Sequence, residues 1–91
     1  MNTKVILYFW SPTCHPCRLL SPIVDEMTDV FDDMISIIKV DVTGPDTQTH
    51  EFDVMVTPTL ILIEDGKVLK QISGAIPMMK LRKEIEEVFN L

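Results

Sequence analysis

Cys14 and Cys17 are the only cysteines of the chain, and His15 and Pro16 lie between them. Two thiols at this spacing can form and break a disulfide with each other. A Cys-x-x-Cys that follows a strand and opens a helix within a βαβ unit is a redox arrangement. Cys14 is expected at or just before the first helical turn. Unpaired backbone N–H groups and the helix dipole stabilise a thiolate there. An ordinary cysteine has a pKa of about 8.5, so only a few per cent is thiolate near neutral pH. Each unit of depression is worth about 1.4 kcal/mol. A shift to about 7 would make roughly half the population nucleophilic without greatly weakening the nucleophile. Cys17, one turn on, is near enough to attack a mixed disulfide formed on Cys14.

Three other uses of the pair compete. Zinc usually takes four ligands. Cys14, His15, Cys17 and His50 are the only soft candidates, and His15 would point away from the face the cysteines share. No metal is expected. A purely structural disulfide would close too small a loop to remove much entropy from the unfolded chain. Inert packing suits one cysteine of the pair but not both, beside His and Pro at a helix start.

The elements that must position this pair are legible in the apolar pattern. Val5–Trp10 is a continuous run of strand formers, which fits a central strand buried on both faces. Ser11-Pro12-Thr13 breaks it. From Pro16 to Phe31, Leu19, Leu20, Ile23, Val24, Met27, Val30 and Phe31 recur at the three-and-four spacing of an amphipathic helix. Pro22 lies inside that helix, removes one backbone bond and should kink it. Ile35–Val42 reads as a second strand, Gly44-Pro45-Asp46 as a turn and Thr47–Phe52 as a short helix. Thr59–Ile63 is a third strand. Asp65-Gly66 marks a tight hairpin leading to a fourth strand, Val68–Ser73. After Gly74 and Pro77, Met78-Met79 should pack at the start of a last helix that carries Leu81, Ile85, Val88 and Phe89 on one face. The order βαβ-α-ββα predicts an α/β fold, a four-stranded mixed sheet flanked by helices.

Composition bounds what such a unit can do. Ninety-one residues make one domain, 1–91, and a chain this short buries only about 60–65% of its unfolded surface. With 46% hydrophobic residues and 24% charged, disorder is not expected. Eight basic against fourteen acidic residues give a net charge of −6, which argues against nucleic acid or an anionic membrane as the main partner. The apolar run after Lys4 is six residues long, below what a signal segment needs. With that short run and the initial Met, no leader is expected. Nothing approaches a membrane span, and a cytoplasmic location is the default.

These residues resemble the thioredoxin family along almost the whole chain. Phe9-Trp10 followed by Cys14-x-Pro16-Cys17 resembles the family's Phe-Trp and Cys-Gly-Pro-Cys elements. Pro22 resembles its helix proline, and Lys39-Val40-Asp41 its lysine-bearing strand. Val56-Thr57-Pro58-Thr59 resembles the loop with a cis-proline facing the cysteines. Asp65-Gly66 and Gly74-Ala75 resemble the hairpin and the small-residue loop of the substrate groove. The resemblance implies a protein-disulfide oxidoreductase with no bound cofactor beyond a redox-active Cys14–Cys17 disulfide. Cys14 would be the nucleophile and Cys17 the resolving thiol. Trp10, His15, Pro16, Lys39 and Pro58 would shape the site. Thr57, Pro58, Gly74 and Ala75 would bind an extended substrate. Electrons would come from a thioredoxin reductase-type donor or another thiol. An accessory binding subunit with dispensable cysteines, or a glutaredoxin-like enzyme using glutathione, are the competing functions.

Four departures from the family carry expectations of their own. The family has a strand and helix before the one that opens this chain, so the edge of the strand at Ile35–Val42 should be exposed. A monomer with weak edge pairing is expected. The family's buried acid, six residues before the first cysteine, is Tyr8 here. A phenol with an ordinary pKa of about 10 is no base at neutral pH; Lys39, water or His15 would assist instead. Thr13 stands where a tryptophan is usual, which removes an aromatic wall from the groove. His15 replaces a glycine. Positive charge on it would favour the thiolate and make the couple more oxidising.

Overall fold

The computed structural model describes residues 3–45, 49 and 51–91. Its elements run β1 (Lys4–Trp10), α1 (His15–Val30), β2 (Ser36–Asp41), β3 (Thr59–Glu64), β4 (Lys67–Ser73) and α2 (Met78–Val88). The sheet order is β2-β1-β3-β4. β1 pairs β2 in parallel and β3 antiparallel, and β3 pairs β4 antiparallel. This is the mixed sheet of a thioredoxin-like α/β fold. Half of the short helix expected at Thr47–Phe52 lies outside the described residues; Thr49 and 51–53 are turns.

β1 is central, and both its faces are covered. Successive side chains of a strand point to opposite faces. Ile6 and Tyr8 face the helices, with Leu20, Val24, Met27 and Phe31 from the α1 region and Leu81, Ile85 and Phe89 from the α2 region. Leu7 and Phe9 face the other side with Ile61, against Phe52 and Val54. The Phe9 and Phe52 rings meet with centroids 6.2 Å apart. The continuous apolar run of β1 is thus explained by burial on both faces.

Three expectations need adjustment. Leu19 follows the helical spacing but is 62% exposed, because α1 turns Leu20 inward instead. Met78 packs on the core while Met79 projects into solvent. β2 is one residue shorter at each end than the apolar pattern implies; Ile35 precedes it and is buried in the helix-side core. The hairpin agrees with its sequence. Asp65 and Gly66 both have positive φ, 53° and 80°, the backbone that a two-residue turn between twisted strands requires. β2 is an edge strand, and Ile38 on it is exposed.

One ion pair ties the far edge of the sheet to α2. Lys70 of β4 donates to Glu84. This hydrogen bond, with the nearby Lys70, Lys80 and Lys83 charges, holds the Glu84 carboxyl below its ordinary 4.5. A depressed carboxyl stabilises the fold above its ordinary value, and that stabilisation is lost as pH falls through the folded value. Glu84→Gln should therefore lower the melting temperature slightly at neutral pH and flatten its fall below pH 4.5. Melting curves at low and high salt would show it, since an exposed pair is screened. An equal acid response in both proteins would exclude the contribution.

Candidate active site

The chain leaves β1 through a tight turn that delivers Cys14 to the start of α1. Ser11 is buried, and its carbonyl accepts the Cys14 N–H at 3.2 Å. Its hydroxyl accepts the Thr13 N–H at 3.2 Å and shares a hydrogen bond with the Thr13 hydroxyl at 3.0 Å. Cys14 is then the N-cap of α1, with extended φ and ψ of −85° and 107°. Its Sγ accepts the Cys17 N–H at 3.3 Å. The sulfur thus takes the place of the side-chain oxygen that usually satisfies an orphan donor of a first helical turn. Pro16 sits in that first turn, where a missing N–H costs nothing.

Cys14 and Cys17 form a disulfide with Cα atoms 5.3 Å apart. The two sulfurs differ in access. Cys14 is half-buried, while Cys17 is only 2% exposed. His15 and Pro16 between them are exposed. Trp10 and Cys17 line a cleft of about 420 Å³ together with Arg18, Ser21, Pro22 and Asp25. A second recess, of about 340 Å³, is bounded by Val42, Met55, Val56 and Thr57. Ser11 borders both.

The loop residues come together around one backbone bond. Thr57-Pro58 is a cis peptide, and Pro58 is buried. Its carbonyl accepts the Gly74 N–H at 2.9 Å. That bond joins Thr57-Pro58 to Gly74-Ala75. Gly74 has φ of 89°, a conformation other residues rarely adopt. The Thr59 hydroxyl donates to the Val56 carbonyl at 2.7 Å and holds the loop against the start of β3.

Lys39 lies opposite Tyr8 in the β1–β2 register, and its ammonium pairs with Asp25 of α1, which lines the same cleft as Cys17. His50 lies outside the described residues. Among the described residues, no group of three or more His, Cys, Asp or Glu could hold a metal ion, and no helix is long and apolar enough to cross a membrane.

Sequence reasoning missed one arrangement. The buried Tyr8 hydroxyl donates to the Cys17 carbonyl at 3.2 Å and lies 2.9 Å from the Ser21 hydroxyl. The only trace of it in the sequence is that Ser21 follows Cys17 by four residues, one helical turn, and directly precedes Pro22.

Comparison with known proteins gives a consistent result. A profile of the thioredoxin family matches residues 1–87. The chain is 34% identical to a thioredoxin of Haemophilus influenzae over 94% of its own length and 80% of that protein's. It is 32% identical to a thioredoxin of Alicyclobacillus acidocaldarius over 96% and 83% of the two chains. A thioredoxin of Pyropia yezoensis is 30% identical over 94% and 80%.

Proposed function

The chain belongs to the thioredoxin family and is a thiol–disulfide oxidoreductase; from that premise we propose that Cys14 is its nucleophile and Cys17 its resolving thiol. The observation that carries this reading is the difference in access: Cys14 is half-buried at the N-cap while Cys17 is enclosed. An incoming disulfide meets Cys14 first. The helix N-terminus and the Cys17 N–H both favour negative charge on the Cys14 sulfur.

The cycle follows. The Cys14 thiolate attacks one sulfur of a protein disulfide. A Cys14–substrate bond forms, the substrate disulfide breaks, and the first substrate thiolate leaves and takes a proton from solvent. Cys17 then loses its proton and attacks the Cys14 sulfur. The Cys14–Cys17 bond forms, the mixed disulfide breaks, and the second substrate thiolate leaves. Two electrons have passed to the substrate, and a reductase or another thiol donor returns them. Thr57, Pro58, Gly74 and Ala75 bind the substrate, with Trp10 and Pro16 shaping the floor beside the sulfurs; the Gly74–Pro58 bond that joins the two loops supports this grouping. One domain carries the whole cycle. We place it as a monomer in the cytoplasm, where thiols are kept reduced, with β2 open to weak edge pairing.

His15 tunes the couple. It is exposed next to Cys14, and positive charge there stabilises the reduced form. Redox titration against glutathione should show a potential more negative in His15→Gly by on the order of 15 mV, about half the 30 mV that corresponds to 1.4 kcal/mol. An unchanged or more positive potential in the variant would remove His15 from the account.

A further inference from the structure

Pro22 has no N–H, so the helical rung to the carbonyl four residues back, that of Arg18, is missing, and the ring crowds the preceding turn. The neighbouring carbonyl, that of Cys17, receives a donor from outside the helix. This is the hydroxyl of Tyr8, which is fully buried on β1. The polarity of the chain of bonds is fixed. A carbonyl can only accept, so Tyr8 donates to Cys17. Its single proton is then used, and the 2.9 Å bond to Ser21 must be donated by the serine. Ser21 to Tyr8 to the Cys17 carbonyl is one directed relay between the central strand and the first turns of α1.

We propose that Tyr8 is a positioning residue for the resolving thiol, with Ser21 supporting it from behind. The proposal rests on the assignment of Cys14 as nucleophile and Cys17 as resolver. The Cys14 backbone is held from the other side of the turn, by the Ser11 carbonyl, while its sulfur accepts from the Cys17 N–H. Tyr8 therefore bears most directly on Cys17, whose carbonyl it holds. It fixes the backbone from which the Cys17 side chain projects, and so the line along which Cys17 attacks the Cys14 sulfur. A small misplacement of an attacking group costs rate out of proportion to its size. The first attack, by Cys14 on the substrate, depends on this bond less, since the helix N-terminus and the Ser11 carbonyl also support Cys14. Because the bond meets a carbonyl, the Tyr8 proton is committed to it and Tyr8 acts through position.

The two attacks can be read separately. The reduced protein is mixed with no more than one equivalent of dithiobis(nitrobenzoate), an aromatic disulfide with a coloured thiolate product. Cys14 attack releases one thiolate in a concentration-dependent phase. Cys17 attack releases the second in a concentration-independent phase. Cys14→Ser should lose the first phase and Cys17→Ser the second; if Cys14→Ser retains the first phase, the underlying assignment fails, whatever Tyr8 does. In Tyr8→Phe the first phase should stay within about twofold and the second should slow about fivefold, as the loss of one net hydrogen bond allows. Ser21→Ala, which keeps the Tyr8–Cys17 bond and loses only its support, should slow the second phase by about twofold. Ser21→Ala also carries the test if Tyr8→Phe does not fold. Equal slowing of both phases, no slowing of the second, or a larger effect in Ser21→Ala than in Tyr8→Phe would overturn the proposal.

Discussion

Cys14→Ser should lower the rate of insulin disulfide reduction by on the order of a thousandfold or more, as removal of a nucleophile does. No other described side chain can take its place. Cys17 is the only other sulfur nucleophile, and it is 2% exposed behind the first turn of α1. Cys17→Ser should also abolish turnover, but by a different route. Its Cys14 still attacks, and the reaction stops at the mixed disulfide because the resolving sulfur is absent. The two variants share a loss of activity and differ in product: unmodified protein in the first, a trapped adduct in the second. An accessory subunit with dispensable cysteines would keep its partner complex in the double variant, and a glutaredoxin-like enzyme would turn over faster with glutathione than with a thioredoxin reductase.

The largest effect on stability is expected at Leu20. This side chain is fully buried on α1, in the core cluster that also holds Tyr8 and Leu60. Leu20→Ala removes three carbons from a packed site and should cost about 2–5 kcal/mol. That is a large part of the roughly 5–15 kcal/mol that holds a domain together. At about 4–8 °C per kcal/mol for a chain of this size, the melting temperature of the oxidised protein should fall by at least about 8 °C. Leu19→Ala is the internal control. Leu19 is the preceding residue on the same helix but 62% exposed, so its loss should stay within about 0.5 kcal/mol. Equal melting temperatures for the two variants would show that α1 is not docked in this orientation.

Leu19 and Leu20 also mark where sequence stops being informative. Both satisfy a three-and-four spacing, and only the position of the sheet decides which one is buried. β1 was legible because its apolar run has no polar face, which a strand buried on both sides requires. The hairpin was legible because Asp-Gly tolerates two successive positive φ angles. The cysteine pair was legible because its spacing is local and its place after a strand is visible in the pattern. The Tyr8 relay was not. It depends on a side chain from a strand reaching a backbone carbonyl nine residues later, and no periodicity encodes that. Lys39 belongs to the same class: its strand position could be read, but its pairing with Asp25 of α1 depends on how helix and sheet meet.

The central claim is that Cys14 makes the first bond to substrate and Cys17 breaks it. Cys17→Ser, reduced and exposed to a disulfide-containing protein, should accumulate a covalent complex that a thiol reductant reverses. Peptide mapping by mass spectrometry should place the substrate sulfur on Cys14. No such complex in Cys17→Ser, or a substrate adduct on Cys17 in Cys14→Ser forming as fast as the one on Cys14, would contradict it.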